Sequence, residues 1–473
     1  MRKILNKDAG SFRDPANSVY QLIDDTGKIR IIRGLREDAL KNYKELITQE
    51  FYSDLSCEGS LVETREISNK DFDKPSEGKW SGYIEHEQIP FISYPYEWAF
   101  SMLKDAALLH LDLMEKSLES GWTLKDATPY NIQWKNLKPI FIDIPSFEPW
   151  IKGEPWVGYR QFCSMFLTPL LLKSHLNIDY VDILRSSLDG ISPTESIKLF
   201  QGLNKFKKGV ISHIYFPSKV ENSILNRERD DAYAKKRKAP SHSKAMIIGL
   251  VQSLRRLINR LNYKIGHSDW SQYDITHSYD DSDFNSKKKF IEKHASSRFR
   301  EQIWDIGCNT GTFSDICSQH CNQVISIDSD FVAIEKLFLS QKEKTSSNIL
   351  PIVMNLANTS PSQGFASKER KSFEERGKPE LIICLALIHH MRISSNIPNI
   401  EFLKYLRSFD AEIIIEFVDR HDEMVKKLLT NKKEDYPDYN KQDFLREVQK
   451  YFEIKDRQSL KNDDREIFFL KPK

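Results

Sequence analysis

Trp304-Asp305-Ile306-Gly307-Cys308-Asn309-Thr310-Gly311-Thr312-Phe313 is the stretch on which the fold turns. An apolar run enters a glycine-containing turn, and the turn enters a helical pattern. Gly307 lets the chain bend where a Cβ would clash, and Gly311 permits close approach at the helix start. Amides at such a turn form an electropositive niche suited to a carboxylate. Seventeen residues after Gly311, Asp328 closes the apolar run Val324-Ile325-Ser326-Ile327. An acid there can accept hydrogen bonds from two ribose hydroxyls. The third run ends in Met354-Asn355-Leu356. Asn355 offers a side-chain hydrogen-bond acceptor there, between the apolar side chains of Met354 and Leu356.

Working outward, strand and helix patterns alternate over 303–306, 312–319, 323–327, 331–341, 349–354, 381–387, 401–406 and 412–417. This alternation predicts an α/β domain, a mostly parallel sheet with helices on both faces. The runs 452–454 and 467–470 predict an antiparallel pair at the end of that sheet.

The D-x-G-x-x-x-G turn with an acid at the next strand end resembles class I S-adenosylmethionine-dependent methyltransferases over roughly 305–417, and more weakly to the C-terminus. The resemblance implies a Rossmann-like domain with S-adenosylmethionine as cofactor. Its binding residues would be Asp305, Gly307, Cys308, Asn309, Gly311, Asp328, Asn355 and Leu356. The middle glycine usual in that family is Asn309 here, a residue that tolerates left-handed backbone angles. A dinucleotide-binding turn would read G-x-G-x-x-G, a spacing this turn lacks.

The fourth strand pattern ends in Leu387-Ile388-His389-His390-Met391. Ligands in this fold bind at the carboxyl ends of the strands, so His389 and His390 fall where an acceptor meets the methyl group. A histidine there serves as general base for a hydroxyl, or it only shapes the pocket and caps the following helix. Glu416, on the next strand, either binds the acceptor or a cation, or pairs with Arg420 or Arg392. These three residues are the candidate catalytic groups. Upstream, Trp270, Tyr273 and Tyr279 either lid the cofactor pocket or pack in the core.

The N-terminal half reads as α+β. A hairpin is expected at 18–22 and 29–32, a helix over 37–52, a strand pair at 83–85 and 90–94, and a long amphipathic helix over 96–118. Asp126 and Asn131 follow, five apart, with Asp143 twelve later at the end of an apolar strand. This resembles the catalytic loop and metal-binding strand of kinase-like phosphotransferases, in which Asp126 would receive a proton and Asn131 and Asp143 would hold Mg²⁺. Several features depart from that pattern. Lys125 stands where His-Arg is usual, and Ile144-Pro145 replaces Phe-Gly. No glycine-rich phosphate loop precedes it, and Arg33 and Arg65 are poor substitutes for the strand lysine. The resemblance therefore implies a degenerate domain that recognises a substrate.

The 473 residues exceed one ordinary core and predict two or three domains. We expect an α+β unit over 1–225, a charged linker and helix over 226–269, and a methyltransferase domain over 270–473. The charges, 70 basic and 68 acidic, sum to +2, which argues against a protein that coats nucleic acid. The apolar run 162–172 is about half of a bilayer-spanning helix and carries Thr168 and Pro169, so a buried helix is expected and no membrane span. The N-terminus has too short an apolar run for a signal peptide, which points to the cytoplasm. The six cysteines form no C-x-x-C pair; Cys317 and Cys321 flank His320 without a second pair at zinc spacing, so no metal site is expected.

With Ala386-Leu387-Ile388-His389-His390 and the later Glu416-Phe417-Val418 strand, the whole-chain arrangement is also similar to NoeA-type nodulation proteins, which implies glycan or small-molecule chemistry. The leading expectation is a two-part cytosolic enzyme that methylates a small-molecule or glycan acceptor. One alternative is a bifunctional kinase and methyltransferase acting on a saccharide. Another is an RNA-binding or RNA-modifying protein using the basic run 235–238 with Arg255, Arg256 and Arg260, which otherwise form a solvated helix face.

Overall fold

In the computed structural model, residues 5–68, 72–73, 75, 78–216, 242–266, 281–430, 432–460 and 464–473 are described. They divide into two units. The first comprises Met1–Lys264 with Ser362–Arg370, the second Ile265–Pro361 with Lys371–Lys473. Residues 226–241 of the expected linker, with the basic run 235–238, and residues 267–269 lie outside the described residues, as do Trp270, Tyr273 and Tyr279.

The first unit begins with a five-stranded antiparallel sheet: β1 (Asn6–Lys7), β2 (Asn17–Ile23), β3 (Ile29–Leu35), β4 (Thr64–Ile67) and β5 (Gly82–His86), in the order β1-β2-β3-β5-β4. The turn at Gly27, with φ of +84°, closes the expected hairpin. Tyr20, Leu22, Ile32 and Tyr83 pack in a common apolar cluster. Between β3 and β4 the chain forms α1 (Glu37–Leu46) and α2 (Glu50–Cys57) where one helix over 37–52 was expected. The break has a local cause: the side chains of Thr48 and Gln49 both donate to the Glu45 carbonyl, competing with the helical backbone.

The expected strand pair at 83–85 and 90–94 does not form. β5 pairs with β3 and β4 instead. Pro90 lacks a ladder donor, and the Ser93 amide donates to the Gln133 side chain at 2.9 Å. The long helix α3 (Phe100–Glu119) starts after a single 3₁₀ turn at Pro95–Glu97. Short strands follow: β6 (Trp122–Leu124), β7 (Ile132–Lys135), β8 (Lys138–Phe141) and β9 (Phe147–Pro149), paired β6 with β9 and β7 with β8.

The apolar run near 162–172 is the buried helix expected, and it runs through Thr168 and Pro169. The helix starts at Tyr159, widens into a π-turn at Cys163–Leu167 and continues as α4 (Thr168–Leu176), the wider turn accommodating Pro169, which has no N–H to donate. Among the described residues no helix is long and apolar enough to cross a membrane. Helix α5 (Lys244–Asn259) belongs to this unit: Gln252 donates to Glu115 on α3 at 2.7 Å, and Arg255 pairs with Glu115 at 2.7 Å and Asp112 at 3.3 Å. One of the three arginines considered for RNA is thus engaged by carboxylates.

The second unit opens with α6 (Asp281–Ala295) and then alternates as its pattern predicts. The elements are β10 (Arg300–Ile306), α7 (Thr312–Ser318), β11 (Cys321–Asp328), α8 (Phe331–Lys342), β12 (Ile349–Val353), β13 (Leu381–Cys384), α9 (Asn399–Arg407), β14 (Glu412–Val418), α10 (Glu423–Thr430), α11 (Lys441–Tyr451), β15 (Phe452–Ser459) and β16 (Arg465–Pro472). The sheet order is β12-β11-β10-β13-β14-β16-β15. The first five strands in that order run parallel, while β16 is antiparallel to both neighbours. The order reverses between β10 and β13, the switch point at which such sheets open a crevice. Cys317 and Cys321 lie in the apolar core beneath, and His320 pairs instead with Glu292 at 2.9 Å.

Between β12 and β13 the chain makes an excursion. Ser362–Arg370 folds with the first unit. Glu369 takes both Arg13 nitrogens, at 2.6 and 2.7 Å, and Gln363 donates to the Arg185 carbonyl at 2.6 Å. The Arg370 guanidinium lies 4.1 Å over the ring of Tyr130.

Candidate functional site

A cavity of about 400 Å³ opens at the carboxyl ends of β10, β11, β12 and β13. Its wall begins with the turn after β10. Gly307, Asn309 and Gly311 have φ of +78°, +50° and +89°. Asn309 thus takes a left-handed angle, which asparagine tolerates better than most residues. The two glycines serve different needs. A Cβ at Gly307 would meet nothing closer than 3.6 Å, so its requirement is backbone angle and not the clash expected. A Cβ at Gly311 would come within 2.3 Å of Leu337 on α8, so close helix packing requires it.

Asp328, at the end of β11, lines the cavity, with its carboxylate accepting the amides of Asn309 at 2.8 Å and Asp330 at 2.9 Å. Burial raises its pKa, against the pull of those amides. Cys308 lines the same wall, and Met354, Asn355 and Leu356 line the end beyond β12. The Asn355 side-chain oxygen caps its own turn by accepting the Ala357 amide at 2.9 Å, which leaves a second lone pair for a ligand.

Asp305 and Gly311 do not reach the cavity. Asp305 is 2% exposed and accepts from the Ser314 hydroxyl at 2.6 Å, joining β10 to α7 behind the wall. Burial pushes its pKa up to about 7.

His389 and His390 both line the cavity, with ring centroids 4.2 Å apart. Burial holds His389 well below the usual histidine range and brings His390 down to about 4, so both imidazoles are neutral at pH 7. His389, which begins the following helical turn, makes no capping bond with its side chain.

Glu416 stands apart from the cavity wall. It is fully buried; its carboxylate pairs with the Lys287 ammonium at 2.7 Å and accepts the Ala386 amide at 2.9 Å, with Arg465 3.6 Å away. The expected partners pair elsewhere: Arg420 with Asp435 and Arg392 with Asp438. Glu416 therefore fixes the backbone after β13, where Ala386 holds φ of +47°, an angle strained for a residue with a Cβ.

Sequence reasoning missed Lys287, which lines the cavity and is 2% exposed. Burial lowers its pKa, against the pull of Glu416. A signal was present: Phe284, Lys287, Ile291 and His294 follow helical spacing, so one lysine interrupts the inward stripe of α6. Phe284 and Met424, which complete the wall beside it, were also missed.

In the first unit, Asp126, Asn131 and Asp143 come together. Asn131 donates to Asp143 at 3.4 Å, and burial, helped by Asp143, raises the pKa of Asp126. Arg33, on β3, donates to Asp143 at 2.5 Å and to Asn17 at 3.2 Å. Lys125 donates to Asp14 at 2.7 Å.

No protein-family model matches the chain. Nodulation protein NoeA of Rhizobium meliloti (strain 1021) is 31% identical over 439 residues, spanning 92% of this chain and 90% of that protein. Among solved structures, N-methyltransferase NodS of Bradyrhizobium japonicum WM9 overlaps 41% of this chain and 99% of its own, with 12% identity and a TM-score of 0.30. Magnesium protoporphyrin IX methyltransferase of Synechocystis PCC 6803, with bound S-adenosylhomocysteine, overlaps 44% of this chain and 89% of its own, with 15% identity and a TM-score of 0.29.

Proposed function

The chain belongs to the NoeA family of nodulation proteins, and on that premise we propose that its second unit is an S-adenosylmethionine-dependent methyltransferase. The observation that carries this reading is the coincidence of strand order and cavity. The crevice lies at the switch point of a sheet ordered β12-β11-β10-β13-β14-β16-β15, and the turn, the acid and the adenine-side residues line one continuous wall. The residues present fit the cofactor. Asp328 offers a carboxylate to the ribose, Asn355 and Leu356 border the adenine end, and the turn at Gly307–Cys308–Asn309 borders the amino-acid end. Asp305 and Gly311 support that turn from behind. S-adenosylmethionine supplies an electrophilic methyl group on a sulfonium, so the chain needs chiefly to align an acceptor with it. The acceptor is a small molecule or glycan, and the first unit recognises it.

Calorimetry with S-adenosylmethionine tests the reading. We expect micromolar binding by the wild type and affinity about 30- to 100-fold weaker for Asp328→Ala, the loss of charge-assisted hydrogen bonds to a ligand. Binding by neither protein would sink it.

For the first unit we infer a degenerate kinase-like domain that binds without phosphorylating. Its sheet, the two helices between β3 and β4, and the gathering of Asp126, Asn131 and Asp143 favour the likeness. The Arg33 guanidinium on Asp143 puts a fixed cation where Mg²⁺ would bind. The expected outcome with Mg²⁺ and ATP is no turnover. Turnover abolished by Asp143→Ala would establish the bifunctional alternative instead.

A further inference from the structure

We infer that the second unit methylates a neutral hydroxyl group, and that His389 is the base that takes its proton. The inference rests on the methyltransferase reading and specifies its acceptor.

The first support is an unanswered hydrogen-bonding group. His389 is 2% exposed and lines the cavity, yet neither ring nitrogen makes a hydrogen bond among the described residues. A neutral imidazole carries one donor and one acceptor, and leaving either buried and unpaired is costly. The arrangement makes sense when a ligand supplies the partner. Nδ1 is enclosed, which leaves Nε2 for that ligand.

The second support is charge. Among the described residues that line the cavity, the only carboxylate is Asp328, at the β11 end. Near the histidines the charged group is Lys287, already held by Glu416. An amine acceptor arriving as an ammonium would meet a sulfonium, and the carboxylate behind the histidines, Glu416, is already taken by Lys287. A hydroxyl brings no charge and can donate to Nε2 of His389.

The step balances. The acceptor oxygen forms its bond to the methyl carbon as the carbon–sulfur bond breaks, and the hydroxyl proton passes to Nε2 of His389. One positive charge leaves sulfur and one appears on imidazole, so the cavity's net charge is unchanged. The groups facing that imidazole are His390 beside it and Lys287 on α6, with Glu416 and Arg465 behind the lysine. A sulfonium therefore opposes protonation of His389, and a thioether does not.

Three measurements on the full chain test this. S-adenosylmethionine labelled with ¹³C in the methyl group is incubated with the small-molecule extract of the cells that make the protein. The carbon shift of the transferred methyl is expected to be that of an ether. An N-methyl, a C-methyl, an alkali-labile methyl ester, or no product while the cofactor binds would each overturn the proposal. His389→Gln, which hydrogen-bonds but takes no proton, should lose product formation at least a hundredfold while binding S-adenosylmethionine within threefold of wild type. An equal loss of binding would assign His389 to the wall alone. In ¹⁵N spectra, the His389 ring should protonate at lower pH in the S-adenosylmethionine complex than in the S-adenosylhomocysteine complex; equal behaviour would refute the charge exchange. Failure of the wild type to bind cofactor would instead remove the methyltransferase reading.

Discussion

The cavity of the second unit and the acid cluster of the first hold their carboxylates by different means. In the second unit, His389 has no protein partner among the described residues and Asp328 is met by backbone amides. In the first, Asp143 is held by Arg33 and Asp14 by Lys125, both cations of the chain itself. A cleft that leaves buried groups unanswered is complete only with a ligand. At Asp143 the chain supplies its own cation, and a metal ion would first have to displace an arginine.

Substitutions can break this contrast. The largest effect is expected in the second unit from Lys287→Met, which takes from the buried Glu416 its nearest cation and leaves it only the more distant Arg465. Breaking such a pair costs about 3–5 kcal/mol, measurable by denaturant unfolding. An unchanged midpoint would mean that Glu416 is not held by this pair. Next, Asp305 gives pH-dependent stability. Its pKa is raised on folding to about 7, so between the usual carboxyl value and 7 the folded chain keeps a proton that the unfolded chain releases. Its contribution to stability is then full below about pH 4, falls as pH rises to about 7, and is level above, with a slope on the order of 1 kcal/mol per pH unit. Asp305→Asn should remove that slope, and an identical pH profile in the variant would contradict the assignment. The smallest effect is expected from Arg33→Met. Asp143 is partly exposed, so the loss is about 1 kcal/mol, but Asp143 and Asn131 become free to take a cation. Calorimetry with Mg²⁺ should show binding in the variant and none in the wild type; no binding to either would mean that Arg33 is not what keeps the metal out.

The second unit was the more legible because its signals are local. Alternating apolar runs marked the strands, and glycine and asparagine marked the turn, where positive φ at three positions in five residues needs those residue types. The cavity wall was read in part for the same reason. Lys287 was missed because nothing in its neighbourhood announces a partner on β14, 129 residues away. Glu416 was misplaced for the reciprocal reason, since the arginines near it in sequence point elsewhere. In the first unit, the gathering of Asp126, Asn131 and Asp143 was visible in their spacing. The failed strand at 90–94 was not, because its competitor is the side chain of Gln133.

The nine residues Ser362–Arg370 bear on how the gene can be divided. A cut near residue 265 yields two polypeptides but not two complete folding units. The C-terminal piece carries a segment whose host lies in the other, and the N-terminal piece lacks the Glu369 that receives Arg13 and the Arg370 that covers Tyr130. The segment is threaded between the strand beside Asn355 and the strand leading to His389, so the two halves were stitched in series and not simply joined end to end. Truncation would therefore remove more than a domain: it would pull a thread from the cloth that remains.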